Sequence, residues 1–409
     1  MLNNKKIIAF ICECNPFHEG HKRLINKAKK EGDILIAIMS GNFVQRGETA
    51  IYDKYKRCKD LLKNGVSMVI ELPVEYSLSS AKYFASYSVD ILNKLKFVDK
   101  LIFGSKINDI NKLSELADIN LNVEYNNGTK INQKSIDKAN TKLNNLSTNK
   151  TNIIKKYLKE GFSYSYALSN ALGEKLSSND ILAVEYIGAL KKSNSKITPI
   201  CIKRNNDIPT ASELRKNIVA KITNDDFTSI LNYKLSLTKC GLYDLSNTYL
   251  MTNDLYNAIL KTADKNLSFT KRAKLLKTKN RTLASIKRVL LNIVLGIARS
   301  GGNYLSLQNK TIINDYSHNI KINYIRILGI KKDFINNLKY IKVPYLLSYN
   351  NNAYKTFVKN FPKSNAIRQN KNGEFELSPS ISLNIFASDL YNLFSNNKNT
   401  EATTKALII

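Results

Sequence analysis

The chain reads as an α/β protein: a Rossmann-like parallel sheet first, a helical segment inserted into it, and a mostly helical second half. Three observations carry that reading. Short apolar runs alternate with helical stretches through the first half, a long Asn- and Lys-rich tract interrupts them, and beyond about residue 224 apolar residues recur at spacings of three and four.

The first run, Ile7-Ile8-Ala9-Phe10-Ile11, is continuous, as a strand buried on both faces should be, and Asn15-Pro16 ends it; a strand is expected over 6–12. Residues 20–31 follow as a helix, with neither Gly nor Pro from His21 to Lys30. Ile34 to Met39 repeats the apolar pattern and is closed by Ser40-Gly41-Asn42. A helix from about Lys54 to Asn64 leads to the strand Ser67 to Glu71, stopped by Pro73. A helix over about 79–95 then leads to Lys100-Leu101-Ile102-Phe103 and the turn Gly104-Ser105. Such alternation implies right-handed βαβ units. The tract from 108 to about 149 is Asn- and Lys-rich with weak helical periodicity, which fits an inserted helical hairpin, the whole insertion reaching about 170. The sheet resumes at Ile197 to Ile202, and the spacing in Ile286–Ile297 is helical. The division expected is 1–223 for an α/β nucleotide-binding unit and 224–409 for a helical one.

At 409 residues the chain exceeds one ordinary core. No stretch approaches the ~20 apolar residues of a membrane span, no leader pattern precedes the first strand, and five scattered cysteines make no disulfide framework. A cytoplasmic protein without membrane contact is expected. The net charge is +30, from 63 basic and 33 acidic residues. Abundant Lys, Asn, Ile and Tyr point to an AT-rich genome that inflates Lys, yet the basic residues also cluster. Between Lys261 and Leu290 stand Lys261, Lys265, Lys271, Arg272, Lys274, Lys277, Lys279, Arg281, Lys287 and Arg288 against the single acid Asp264. A charge run is usually a solvated helix face; this one would self-repel without an anionic partner, and nucleic acid is the partner expected.

The most informative stretch follows the first strand: Cys14-Asn15-Pro16-Phe17-His18-Glu19-Gly20-His21. It places His18 and His21 on a turn and helix start at the carboxyl end of a parallel strand. Open α/β sheets bind ligands there, helix N-termini favour anions, and Gly20 lets a phosphate approach the backbone. A His-x-x-His pair alone is weak. Cys12 and Cys14 add zinc-ligand types upstream, but the spacing is not a usual zinc spacing, so no metal site is expected. A second constellation follows the last strand: Lys203-Arg204, then Thr210-Ala211-Ser212-Glu213-Leu214-Arg215. The bland reading is a helix start; the functional one is a phosphate cradle of Thr210, Ser212 and Arg215 facing the two histidines.

These two constellations resemble the nucleotidylyltransferase superfamily. More narrowly, Glu13-Cys14-Asn15-Pro16-Phe17-His18-Glu19-Gly20-His21, Met39-Ser40-Gly41-Asn42-Phe43-Val44-Gln45-Arg46-Gly47-Glu48, Val69-Ile70-Glu71-Leu72-Pro73-Val74 and Phe103-Gly104-Ser105 resemble the tRNA(Met) cytidine acetate ligases. So do Ser178-Asn179-Asp180-Ile181-Leu182, Lys203-Arg204, Leu276-Lys277-Thr278-Lys279 and Ile325-Arg326-Ile327-Leu328-Gly329. The chain departs from that family's usual residues at Cys14 (Tyr), Glu19 (Asn), Lys106 (Glu) and near Tyr55 (Trp).

The resemblance implies a Rossmann-like nucleotidylyltransferase sheet and an ATP-dependent ligase. Such an enzyme converts acetate to acetyl-AMP, releasing diphosphate, and acetylates the N4 amine of the wobble cytidine of elongator tRNA(Met). Catalysis would rest on His18 and His21. ATP would lie against Ile11, Cys12, Glu13, Cys14, Asn15, Pro16, Phe17, His18, Glu19, Gly20, His21, Lys22, Arg23 and Leu24, with Gly104, Asn179 and Arg204, and Mg2+ as its companion ion. The RNA would meet Lys271, Arg272, Lys274, Lys277, Lys279, Arg281, Lys287 and Arg288. A small-molecule nucleotidylyltransferase shares the nucleotide site but has no need of a basic helical half. No cysteine has an evident His partner in the sequence, which argues against a thioester route.

Overall fold

The structure is a computed structural model and describes residues 4–125, 144–160, 162, 164–173, 175–204, 209–299, 312–313 and 322–409. Strands of the main sheet are β1 (Ile7–Cys12), β2 (Ile34–Ser40), β3 (Met68–Leu72), β4 (Lys100–Ser105), β5 (Thr198–Lys203), β6 (Ile325–Ile330), β7 (Tyr345–Leu346) and β8 (Leu407–Ile408). The first five are parallel and lie in the order β3-β2-β1-β4-β5. Chain direction across the sheet therefore reverses between β1 and β4, and the carboxyl ends of those two strands face the crevice where such sheets take their ligands. β1 pairs with β2 from Ile7↔Ile34 to Cys12↔Met39 and with β4 at Ile8↔Lys100 and Ala9↔Leu101.

Helices cover both faces, so the strands are apolar throughout. Ile7 and Ala9 point into one core with Ile36, Ile38, Ile70 and Leu101; Ile8, Phe10 and Cys12 point into the other with Ile25, Leu61 and Val69. The connecting helices are α1 (Glu19–Glu31), α2 (Lys54–Lys63), a single turn α3 (Val74–Ser77), α4 (Ala81–Leu95), α5 (Ile110–Tyr125), α6 (Asn144–Lys159), α7 (Tyr164–Leu172), α8 (Ser178–Lys192) and the short α9 (Ala211–Lys216). The expected elements agree with these to within a few residues. Part of the expected insertion, 126–143, lies outside the described residues.

The second half contains α10 (Thr228–Lys239), α11 (Asn253–Leu260), α12 (Phe269–Leu275), α13 (Leu283–Leu295), α14 (Asn351–Asn360) and α15 (Pro379–Phe394). Most of these pack round a core of their own that includes Phe227, Leu231, Phe269, Val289 and Leu290. The division at 223/224 is nonetheless crossed by the sheet. β6 pairs antiparallel with β3, and β7 and β8 pair with β6, so the second half supplies three strands to the same sheet. Phe43, Val74 and Leu78 from the first half enter the helical core in return.

Candidate active site

The site is built where β1 ends. Cys14 has a positive φ of 48° and the Asn15–Pro16 bond is cis, so the chain turns sharply before α1. Arg57 of α2 fixes this turn from below. It is fully buried and donates to the carbonyls of Glu13 (2.6 Å), Ser40 (3.1 Å), Gly41 (2.5 Å) and Tyr52 (2.9 Å), tying the ends of β1 and β2 together. Sequence reasoning passed over Arg57, because a lysine- and arginine-rich helix gives no sign of which cation turns inward. Asn15 adds a second tie: its Oδ1 accepts the Ile51 amide at 2.8 Å.

His18 is the N-cap of α1, in extended conformation. Its Nδ1 accepts the Gly20 amide at 2.9 Å, while His21 Nδ1 accepts the His18 amide at 3.2 Å. Two imidazoles thus play the parts that Ser and Glu play in an ordinary capping box. A ring nitrogen that accepts carries no proton, so the neutral His18 ring keeps its hydrogen on Nε2. The ring centres are 4.1 Å apart, and Phe17 stacks on His21 at 5.6 Å. Gly20 is required for this packing: a Cβ there would stand 2.7 Å from His18 Cε1. Burial, then the charges of His21, Arg204 and Arg215, push the His18 ring down to about 3, so it is neutral at physiological pH.

The dependence of His18 on Arg204 and Arg215 locates the second constellation. Arg204 follows β5 and lies across Gly104 of β4; a Cβ on Gly104 would approach its Cγ to 3.1 Å. Arg215 of α9 donates to the Asn15 carbonyl at 2.8 Å and to Ser212 Oγ at 2.9 Å, which joins α9 to the β1 turn. His18, His21, Gly104, Arg204, Ser212 and Arg215 are therefore brought together, as the sequence suggested. Thr210 is engaged otherwise. Its hydroxyl accepts the Glu213 amide and donates to Glu213 Oε2, so it caps α9. Asn179 is the second residue of α8, half-buried beside Asp180. Asp180 holds the turn after β4, accepting from Ser105 Oγ (2.5 Å) and the Lys106 amide (2.8 Å). The Lys106 side chain itself is exposed, so its reversed charge stands outside that network.

Two groups at the site were missed or misread from sequence. Arg46, in the loop between the two-residue strands Phe43–Val44 and Glu48–Thr49, pairs with Glu13 at 3.8 Å, and its charge acts on both Arg204 and Arg215. Three guanidinium groups thus bear on one turn. Glu13 is raised chiefly by burial, with Arg46 opposing, and its Oε1 is a buried oxygen without a hydrogen-bond partner. Nothing in the sequence signalled a histidine neighbour for any cysteine, yet Cys14 interacts with His21. Burial pushes the Cys14 thiol up, but the hydrogen bond from Cys12 and the charge and hydrogen bond of His21 prevail and bring it to about 5. With only 1 % of its surface exposed, Cys14 acts on His21 and not on substrate.

The basic cluster of the second half divides in the structure. Arg272 is wholly buried and corrects the expectation of a solvent-facing cation: it holds Asn232 (2.7 Å) and the Lys265 carbonyl (3.2 Å) and binds Thr262. Arg288 is corrected likewise, since it donates to the Gln45 carbonyl at 2.8 Å and burial lowers it to about 10. Lys287 pairs with Glu48 at 2.7 Å, Arg281 with Asp254 at 3.6 Å, and Lys279 lies over the Phe162 ring. Lys271, Lys274 and Lys277 are exposed.

Comparison with known proteins agrees with this geometry. A family model of HIGH nucleotidyl transferases matches residues 5–220 and 209–406. Relatives named tRNA(Met) cytidine acetate ligase include that of Thermoanaerobacter sp. strain X514, 32% identical with 82% of this chain and 86% of the relative covered, and that of Clostridium novyi strain NT, 32% identical with 88% of each covered. The chain belongs to the tRNA(Met) cytidine acetate ligase family. A Fusobacterium nucleatum member is 32% identical over 72% of this chain and 78% of its own. The fold is that of TmcAL from Thermotoga maritima bound with alpha-thio ATP, at a TM-score of 0.76, 22% identity and 99% coverage of both chains. The apo form of that ligase matches at 0.75.

Among the described residues no helix is long and apolar enough to cross a membrane, and no group of three or more His, Cys, Asp or Glu could hold a metal ion.

Proposed function

We propose that this protein is an ATP-dependent tRNA(Met) cytidine acetate ligase, converting acetate and ATP to acetyl-AMP and diphosphate and then acetylating the N4 amine of the wobble cytidine of elongator tRNA(Met). One observation supports it above the rest: the neutral His18 imidazole and His21 stand with three guanidinium groups at the carboxyl ends of β1 and β4 in a chain of that family.

The chemistry suits this set. When an acetate oxygen attacks the α-phosphorus and the bond to diphosphate breaks, negative charge grows on phosphate oxygens. Preorganised donors aimed at that charge lower the barrier without any covalent enzyme intermediate. His18 and His21 would supply the donors, and the N-terminus of α1 adds its own partial positive charge. Arg204 and Arg215, with Arg46 behind them, would hold the diphosphate. A neutral His18 suits the role, because an added proton there would stand beside three cations. Mg2+ would enter on the nucleotide, which matches its preference for phosphate oxygens and water. In the second step the cytidine nitrogen forms a bond to the acetyl carbon, the acyl–phosphate bond breaks, AMP leaves and the amine loses a proton.

The test uses the full chain with ATP, Mg2+ and labelled acetate, with and without bulk tRNA. Label entering tRNA, and acetate-dependent exchange of diphosphate into ATP without tRNA, are expected. An adenylylated small product with no label in tRNA would replace this reading by a small-molecule nucleotidylyltransferase.

A further inference from the structure

The inserted helices carry a second basic surface that the site does not use. On α6, Asn152, Lys155, Lys156 and Lys159 recur at spacings of three and four and therefore share a face. Thr151 and Ile154 turn the other way and are buried. The polar face borders an open hollow of about 520 Å³ lined by Asn152, Lys155, Lys156, Lys159 and Glu160. Lys155 and Lys159 are like charges four apart, an arrangement that costs helix stability unless an anion lies across them. Glu160, four residues from Lys156, is the lone acid lining the hollow.

Aromatic rings cluster where α6 gives way to α7. Phe162 stacks on Tyr166 with ring centres 4.3 Å apart and planes 10° from parallel, and Tyr157 meets both edge-on. Lys279 lies 3.4 Å from the Phe162 ring centre, and Tyr166 is 44% exposed. An exposed ring beside lysines is the combination that holds unpaired nucleotides, the base on the ring and the phosphates on the cations.

The contact of Lys279 with Phe162 also places this surface. Lys279 lies in the loop leading to α13, whose Lys287 and Arg288 are anchored to Glu48 and Gln45 beside Arg46. Phe162 precedes α7, which leads to α8 and the Asp180 turn beside Gly104. Segments that continue in the chain to α13 and to α8 thus meet at one aromatic ring.

We infer that the lysine face of α6, with Lys279 and Tyr166, is an RNA-docking surface that takes tRNA phosphates on Lys155, Lys156 and Lys159 and an unpaired base on Tyr166. This rests on the reading of the protein as a tRNA ligase and extends the RNA contact from the 271–288 segment to the insertion.

The experiment measures binding of bulk tRNA to the full chain at several salt concentrations, for the unaltered protein, for the triple variant Lys155→Ala/Lys156→Ala/Lys159→Ala, and for Tyr166→Ala. Alanine favours helix, so the exposed face changes while α6 is retained; the corresponding triple Lys→Arg variant keeps the charge. The alanine triple should weaken binding and flatten the plot of log affinity against log salt by ~0.7–0.9 for each phosphate no longer neutralised, and the arginine triple should restore both. Tyr166→Ala should weaken binding on the order of tenfold with the slope unchanged. Acetate-dependent diphosphate exchange without tRNA should be normal in all of them. Unchanged affinity and slope in the alanine triple would overturn the surface. The tRNA-ligase reading fails separately, if the unaltered protein passes no label to tRNA.

Discussion

In the proposed reaction His18 and His21 would do two jobs with one ring each: Nδ1 closes the cap of α1, and Nε2 would serve a phosphate oxygen. Substitution can separate the two. His18→Ala removes both, whereas His18→Asn keeps an oxygen that can accept the Gly20 amide. Both variants should lower acetate-dependent diphosphate exchange by about 10²–10³, but only alanine should also cost about 1 kcal/mol of stability in urea unfolding. Normal exchange in His18→Asn would remove this ring from the chemistry. The same ring makes stability depend on pH. It takes a proton near 6.5 in the unfolded chain and near 3 in the folded one. As pH falls between those values, the unfolded chain binds a proton that the folded one does not, so stability declines through that window and is unaffected above it. His18→Asn should make the decline from pH 7 to pH 4 shallower, and superimposable urea midpoints against pH would refute this.

Among the elements, the parallel strands were plain in the sequence because burial on both faces leaves continuous apolar runs such as Ile7–Ile11 and Ile34–Met39. The turn after β1 was legible for the same kind of reason: Pro16, His18 and Gly20 have few other uses at a strand end. What holds that turn was not legible. Arg57 looks like any cation in Lys-Tyr-Lys-Arg-Cys-Lys, and only the fold shows that it, and not Lys56 or Lys59, meets four carbonyls. Arg272 and Arg288 misled in the opposite sense, as charges that sequence assigns to a partner and folding assigns to backbone oxygens. Arg57→Leu should therefore cost more than about 3 kcal/mol, since it strands buried carbonyls that had a charged donor. Urea unfolding reads this directly. A loss below about 1 kcal/mol would mean that water replaces the guanidinium and that the turn stands without it.

Over the whole molecule, the two halves of the chain are joined by buried charge as well as by the sheet. Lys54 Nζ lies 2.8 Å from both Glu71 Oε1 and Glu401 Oε1, Tyr55 donates to Glu401 at 2.8 Å, and Arg326 reaches Tyr55 at 3.1 Å. All four charged groups are nearly inaccessible, two cations against two carboxylates. Burial lowers Lys54, yet the charges of Glu401 and Glu71 outweigh it and hold the ammonium above its usual range. None of this could be read from sequence, where Glu401 stands in a polar tail and β6 resembles a strand without a stated neighbour. Breaking the balance should be costly at a distance from the active site. Glu401→Ala leaves Lys54 and Arg326 sharing Glu71, and removing one partner of a buried ionic set typically costs about 3–5 kcal/mol. The loss should appear as a single cooperative transition at lower urea, because α2, β3, β6 and the segment before β8 all meet at this point. A separate early transition of the second half, with the first half unmoved, would show that the charges decorate a boundary between independent units instead of joining one.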